Sequence, residues 1–171
     1  VSERCRSVLA GPMAKAYTLL PARMRSDRAD VMLLAIGLQE SRLRYRRQLG
    51  GGPARGLWQF ELGTRASRGG VWGVYLHAAS RDHLRALCAA RGVEFEPRAI
   101  YNALERDDVL AAGVARLLLW TDAKPLPELG DWAEGWDLYA NRTWRPGKPH
   151  PETWGGFYAE ALATVTEAGR P

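Results

Sequence analysis

The chain has 171 residues, long enough for one domain with a substantial core and short for two. Apolar residues make up 46% and charged residues 25%, the balance of an ordinary globular protein, and no run approaches the roughly 18 uninterrupted apolar residues that a membrane span needs. The net charge of +5 favours an anionic partner, but the arginines are scattered, which argues against a nucleic-acid stripe.

Taken in order, the chain begins at Val1 without an initiator methionine and without the long apolar stretch of a secretory signal, so loss of an N-terminal segment is an open expectation. A short helix is predicted over Ser2 to Ala10, and Gly11-Pro12 should end it and start a second through Met13, Ala16, Tyr17 and Leu20. Ser26 and Asp27 offer a cap for a third helix, apolar nearly all round from Ala29 to Ser41 and therefore a core helix. It ends on Glu40. A carboxylate at the wet end of a buried helix is disfavoured in its charged form, which is how a general acid near neutral pH is made; the alternative is a plain solvated helix end. Gly37 and Ser41 beside it are small and should leave room for a substrate.

Residues 45 to 63 break the helical pattern. Gly50-Gly51-Gly52-Pro53 reads as a turn and Gly56 to Glu61 as a short alternating segment, a loop or small hairpin returning beside Glu40. Arg42, Arg44, Arg46 and Arg47 should edge a groove there. After a polar linker at 64 to 70, helices are expected over Val71 to Ala79, over Arg81 to Arg91 with Ser80 as N-cap and Gly92 as stop, and from Glu96-Pro97 through Leu104. Asp107 or Asp108 opens the most apolar helix, through Trp120, expected beside the Glu40 helix. Asp131-Trp132-Ala133-Glu134 resembles a capping box for a helix carrying Trp132, Trp136 and Tyr139, where the spacing makes the two tryptophans core rather than sugar platforms. Pro151 begins a last helix through Trp154, Phe157, Tyr158 and Leu162. The fold expected is mainly α, one domain over 1–171 with a small irregular or hairpin insertion.

Cys5 and Cys88 lack metal-site spacing and read as two unlinked structural thiols. His77, His83 and His150 fit no helical metal spacing and are assigned surface or capping roles, so neither metal nor cofactor is expected. No phosphate-loop, dinucleotide or serine-hydrolase motif is present.

Glu40-Ser41 followed by Gly56-Leu57-Trp58-Gln59 resembles the Glu-Ser and Gly-Leu-Met-Gln motifs of lytic transglycosylases and goose-type lysozymes. The phrase Pro53 to Glu61 is similar to bacteriophage-encoded members of that lysozyme-like superfamily, and Asp107 to Gly113 to its core helix. The third motif, Ala-Tyr-Asn-Ala-Gly, is matched only partly by Tyr139-Ala140-Asn141-Arg142; Tyr101-Asn102-Ala103 matches in letters but stands before the core helix, the wrong order. The resemblance implies a lysozyme-like helical domain that cleaves the β-1,4 bond between N-acetylmuramic acid and N-acetylglucosamine in peptidoglycan glycan strands. Glu40 would be the acid, with Ser41, Trp58, Gln59 and Tyr139 on substrate. Gln59 is neutral and can both donate and accept. Gly56 lets backbone approach a sugar, and Trp58 and Phe60 offer stacking faces or cover for Glu40, or else form a small satellite core.

Glu61 is the nearest second carboxylate, either the base of an inverting hydrolase, about 6.5–9.5 Å from the acid, or a solvated loop charge. The resemblance to transglycosylases implies a single glutamate, with the sugar's own 6-hydroxyl closing to a 1,6-anhydro product, and that scheme is preferred. The alternatives are a hydrolytic muramidase or chitinase-type glycosidase, a non-catalytic wall-binding or virion module, and a basic nucleic-acid binder. The reading is of a soluble monomer acting on the bacterial wall, either phage-encoded and released at lysis or carried in the virion, or serving the bacterium itself, with no nucleic-acid partner and no stable membrane insertion.

Overall fold

The computed structural model describes residues 2–169 and is mainly helical. Helix α1 (Glu3–Val8) is capped by the Ser2 hydroxyl, which accepts the Cys5 N–H. The break expected at Gly11-Pro12 does not occur. A wide π turn over Leu9–Met13 carries the chain straight into α2 (Ala14–Thr18). A π turn lets a helix absorb a residue that lacks an N–H and crowds the preceding turn.

Helix α3 (Asp27–Ser41) begins where the Ser26 hydroxyl accepts the Ala29 N–H, and every residue from Ala29 to Leu38 is buried. It ends abruptly because Arg42 and Leu43 both turn left-handed, with φ of 59° and 51°. Then come α4 (Gly70–Leu76), α5 (Arg81–Arg91), α6 (Pro97–Leu104) and α7 (Asp108–Trp120). Gly92 stops α5 at φ 67°, both carboxylate oxygens of Glu96 cap α6, and Asp107 caps α7 while gripping Arg91. Ser80 precedes α5 but does not cap it; its hydroxyl is buried and donates back to the Val74 carbonyl, joining α4 to α5.

Asp131 caps α8 (Trp132–Asp137) through the Glu134 N–H. The chain then widens into a second π turn, Leu138–Thr143, and after a loop ends in α9 (Pro151–Ala168). The main partner of α3 is α9; α7 touches α3 but packs chiefly against α5, α2 and the π turn that leads into α2. One core joins residues from Cys5 to Val165, with α3 and α7 at its centre. The Cys5 and Cys88 thiols are buried and unlinked, and burial pushes Cys88 up to about 11.

Residues 45 to 63 hold only single bridges, Arg47 to Arg55 and Arg55 to Phe60, with no continuous strand among the described residues. The loop is moored from outside. Arg46 grips Asp108 through two hydrogen bonds, Arg47 pairs with Glu105, and the Tyr101 hydroxyl donates to the Pro53 carbonyl. Arg46 and Arg47 thus fasten the loop to α6 and α7, while all four arginines, Arg42 and Arg44 included, remain exposed. No helix among the described residues is long and apolar enough to cross a membrane.

Candidate active site

Glu40 stands one residue from the end of α3, half-buried, and the second π turn brings Tyr139 against it. The Tyr139 hydroxyl donates to Glu40 Oε1 at 2.5 Å. Oε2 has no hydrogen-bond partner among the described residues and is not sealed from solvent, so one oxygen is held and the other is available. Burial pushes the Glu40 carboxyl up to about 7; the Tyr139 hydrogen bond pulls the other way and the charge of Glu61 adds to the rise. No cation among the described residues offsets it. The local sequence made this possible because eight successive buried residues, Val31 to Leu38, precede Gln39 and Glu40 and leave the carboxyl little water.

Tyr139 is fixed by aromatic rings. It stacks on Trp154 of α9 with centroids 5.3 Å apart and planes 2° from parallel, and Trp136 meets it edge-on. Burial and the neighbouring Glu40 carboxyl hold its hydroxyl well above its ordinary value, so it remains a donor. The π turn that aims it is clamped by Arg142, which bonds Asp122, Glu134 and Asp137 together. Trp154 and Arg142 were not picked out from sequence. Trp154 reads there as one more apolar position of a terminal helix, and nothing local ties Arg142 to Asp122, twenty residues before it.

Several expected substrate contacts have other work. Ser41 is buried and its hydroxyl donates to the Leu57 carbonyl at 2.6 Å, stitching α3 to the glycine-led loop. Trp58 is fully enclosed, with its indole N–H on the Leu33 carbonyl, so it offers no face to a sugar. Phe60 is likewise buried, edge-on to Trp144, whose indole donates to the Trp58 carbonyl. These rings form the satellite core. Gly37 leaves room not for substrate but for this loop, since a Cβ there would lie 2.2 Å from Leu43 and 3.3 Å from the Trp58 indole nitrogen. Gly56, at φ 78°, faces the Leu104 carbonyl, 3.0 Å from where its Cβ would stand.

Gln59 donates its amide to the Gly56 and Tyr45 carbonyls, leaving its Oε1 as an acceptor and removing the donor role expected of it. Tyr139 is 3% exposed and reaches Glu40 rather than open solvent, so its hydroxyl holds the Glu40 carboxyl in place. Glu61 is exposed and close enough for its charge to bear on Glu40. Trp132, expected in the core, is 58% exposed because it stands at the first turn of α8; only its carbonyl turns inward, accepting the Trp154 indole N–H. Trp136 is partly buried against the core.

His77 accepts the Ala79 N–H at the end of α4, and the His150 carbonyl accepts from Gln39 beside Glu40. Among the described residues no group of three histidine, cysteine or acidic side chains is placed to hold a metal ion. No family model, curated protein or solved structure matches the chain.

Proposed function

We propose that the protein is a peptidoglycan-cleaving glycosidase acting on the β-1,4 bond between N-acetylmuramic acid and N-acetylglucosamine, with Glu40 as the general acid. The observation that carries this reading is a carboxyl pushed up to about 7 by burial, fixed through Oε1 by Tyr139 and open at Oε2. At neutral pH a substantial share of such a group is protonated, which a general acid needs. Its proton passes from Oε2 to the glycosidic oxygen as the bond from C1 to that oxygen breaks. The carboxylate left behind keeps the Tyr139 hydrogen bond, which favours its charged form. It then takes the proton of the sugar's 6-hydroxyl while that oxygen bonds to C1, closing the 1,6-anhydro ring without a second carboxylate. The net charge of +5 favours adsorption to an anionic wall.

Hydrolysis by the same acid is the second reading, and Glu61 favours it, because its charge bears on Glu40 and a base across the sugar would activate water. Mass spectrometry of the products released from purified peptidoglycan separates the two: an anhydro end is lighter than a reducing end by one water. No released muropeptides from a folded protein that binds sacculi would instead favour a wall-binding module.

A further inference from the structure

A cavity lies away from Glu40, at the opposite end of α3. Ser26 and Glu40 are separated by fourteen helical steps, about 21 Å at the α-helical rise. The cavity has a volume of about 490 Å³ and is bounded by the start of α3, the end of α7 and the loop after it. Four cations line it, Arg23, Arg28, Arg116 and Lys124, against one acid, Asp122. Asp122 is already held by Arg142 at 2.9 Å, and Arg28 by Glu128 at 2.5 Å. The surplus charge therefore rests on Arg23, Arg116 and Lys124.

Arg116 is the unusual member. It is 3% exposed on the buried helix α7, and its Nε donates to the Met24 carbonyl at 2.7 Å; neither Nη has a hydrogen-bond partner among the described residues, and of the two only Nη1 is sealed from solvent, which leaves Nη2 as the donor open to the cavity. Burying a guanidinium with an unused donor is costly, and the nearest acid acting on it, Asp30, is occupied by the Tyr17 hydroxyl at 2.7 Å. Arg116 and Arg23 also lie over the Trp120 ring, 5.4 and 5.5 Å from its centroid, so the tryptophan holds both guanidiniums in place. The first turn of α3 adds its unpaired N–H groups, and the Ser26 hydroxyl, which accepts from Ala29, retains its proton to donate. Asp27 in the same turn is exposed and weakens the field without closing the site.

We propose that this cavity binds a phosphate-bearing ligand, with Arg23, Arg116 and Lys124 as its charged contacts and the start of α3 as a backbone contact. A tetrahedral phosphoryl group, whose oxygens can accept from separate donors, suits several donors and a cation surplus better than a planar carboxylate does. The ligand class is a phosphate ester, either a free monoester or a phosphodiester within a glycerol phosphate chain. The inference is independent of the chemistry assigned to Glu40.

The test is titration of the intact protein with glycerol 3-phosphate and, separately, with a short glycerol phosphate diester oligomer, followed by the Trp120 indole N–H resonance. Saturable shifts are expected with at least one of them, tighter with the monoester if the ligand is a free metabolite and tighter with the oligomer if it is a polymer. The double variant Arg23→Gln/Lys124→Gln changes only rim side chains, and should weaken binding by about tenfold or more, the loss of at least one charge-assisted contact. Unsaturable shifts, or binding equally tight in that variant, would overturn the proposal. Because Glu40 lies at the other end of α3, wall cleavage by the double variant should match the parent, which separates failure of this site from failure of the glycosidase reading.

Discussion

Two carboxyls of helix α3, Asp30 and Glu40, each receive a tyrosine hydroxyl, Tyr17 at 2.7 Å and Tyr139 at 2.5 Å. Burial pushes both upward. What differs is the surrounding charge. Asp30 has Arg25 and Arg116 within electrostatic reach, which draw it back, whereas among the described residues the charge acting on Glu40 is the like charge of Glu61. Asp30 is also sealed, at 6% exposure, while Glu40 keeps Oε2 open. One arrangement ties helices together and the other leaves a proton to give, so a carboxyl–tyrosine pair does not by itself mark an active site.

The largest expected effect is on the open pair. Glu40→Gln keeps the shape and the acceptor for Tyr139 but has no proton to transfer, so wall cleavage should fall by about 10²–10⁴-fold with the circular dichroism spectrum unchanged. Retained cleavage would remove Glu40 from the chemistry. The same variant should be more stable than the parent at pH 8. A carboxyl whose folded value is raised to about 7 from 4.5 makes folding less favourable as pH rises through that window, and the substitution abolishes that loss. Urea unfolding should therefore show a gain on the order of 3 kcal/mol at pH 8 that fades as pH falls toward 4.5. Asp30→Asn is the matching control: Asp30 is sealed at the other end of the helix, so activity per folded molecule should stay unchanged.

Much of this architecture is legible in the chain because it is local. Caps such as Ser26, Glu96, Asp107 and Asp131 act within three residues, and the apolar run before Glu40 announces its own burial. The misreadings share one cause, contact between distant segments. Trp58 and Ser41 read as substrate contacts until α3 and the loop are seen facing each other, and Trp132 reads as core by its spacing to Trp136 although it begins its helix at the surface. The Tyr139 assignment depended on a partial motif. Its aim comes from the π turn over Leu138–Thr143 and from the Trp154 ring, neither of which has a periodic signature.

A smaller effect is expected from Tyr139→Phe. The hydroxyl lowers the Glu40 value, so its removal should move the alkaline limb of the activity profile to higher pH while the maximal rate falls as the carboxyl loses its anchor. A purely structural tyrosine would lower the folded fraction and leave the limb in place. Tyr17→Phe is the matching control, and should cost about 1 kcal/mol of stability without moving the limb.

The smallest shift is expected from Glu61→Gln, and it bears most directly on the reaction type. Glu61 contributes the least of the influences on Glu40, so neutralising it should move the alkaline limb slightly to lower pH. If Glu40 works alone, as in ring closure to an anhydro sugar, that displacement is the whole effect and the maximal rate stays near the parent's. If Glu61 activates water, the maximal rate falls by about 10²-fold or more at every pH, because the glutamine cannot accept the water's proton. The two outcomes are distinct in the same pH series, and the products of the variant decide it independently: anhydro ends persist when one carboxyl suffices, whereas reducing ends disappear when Glu61 is the base.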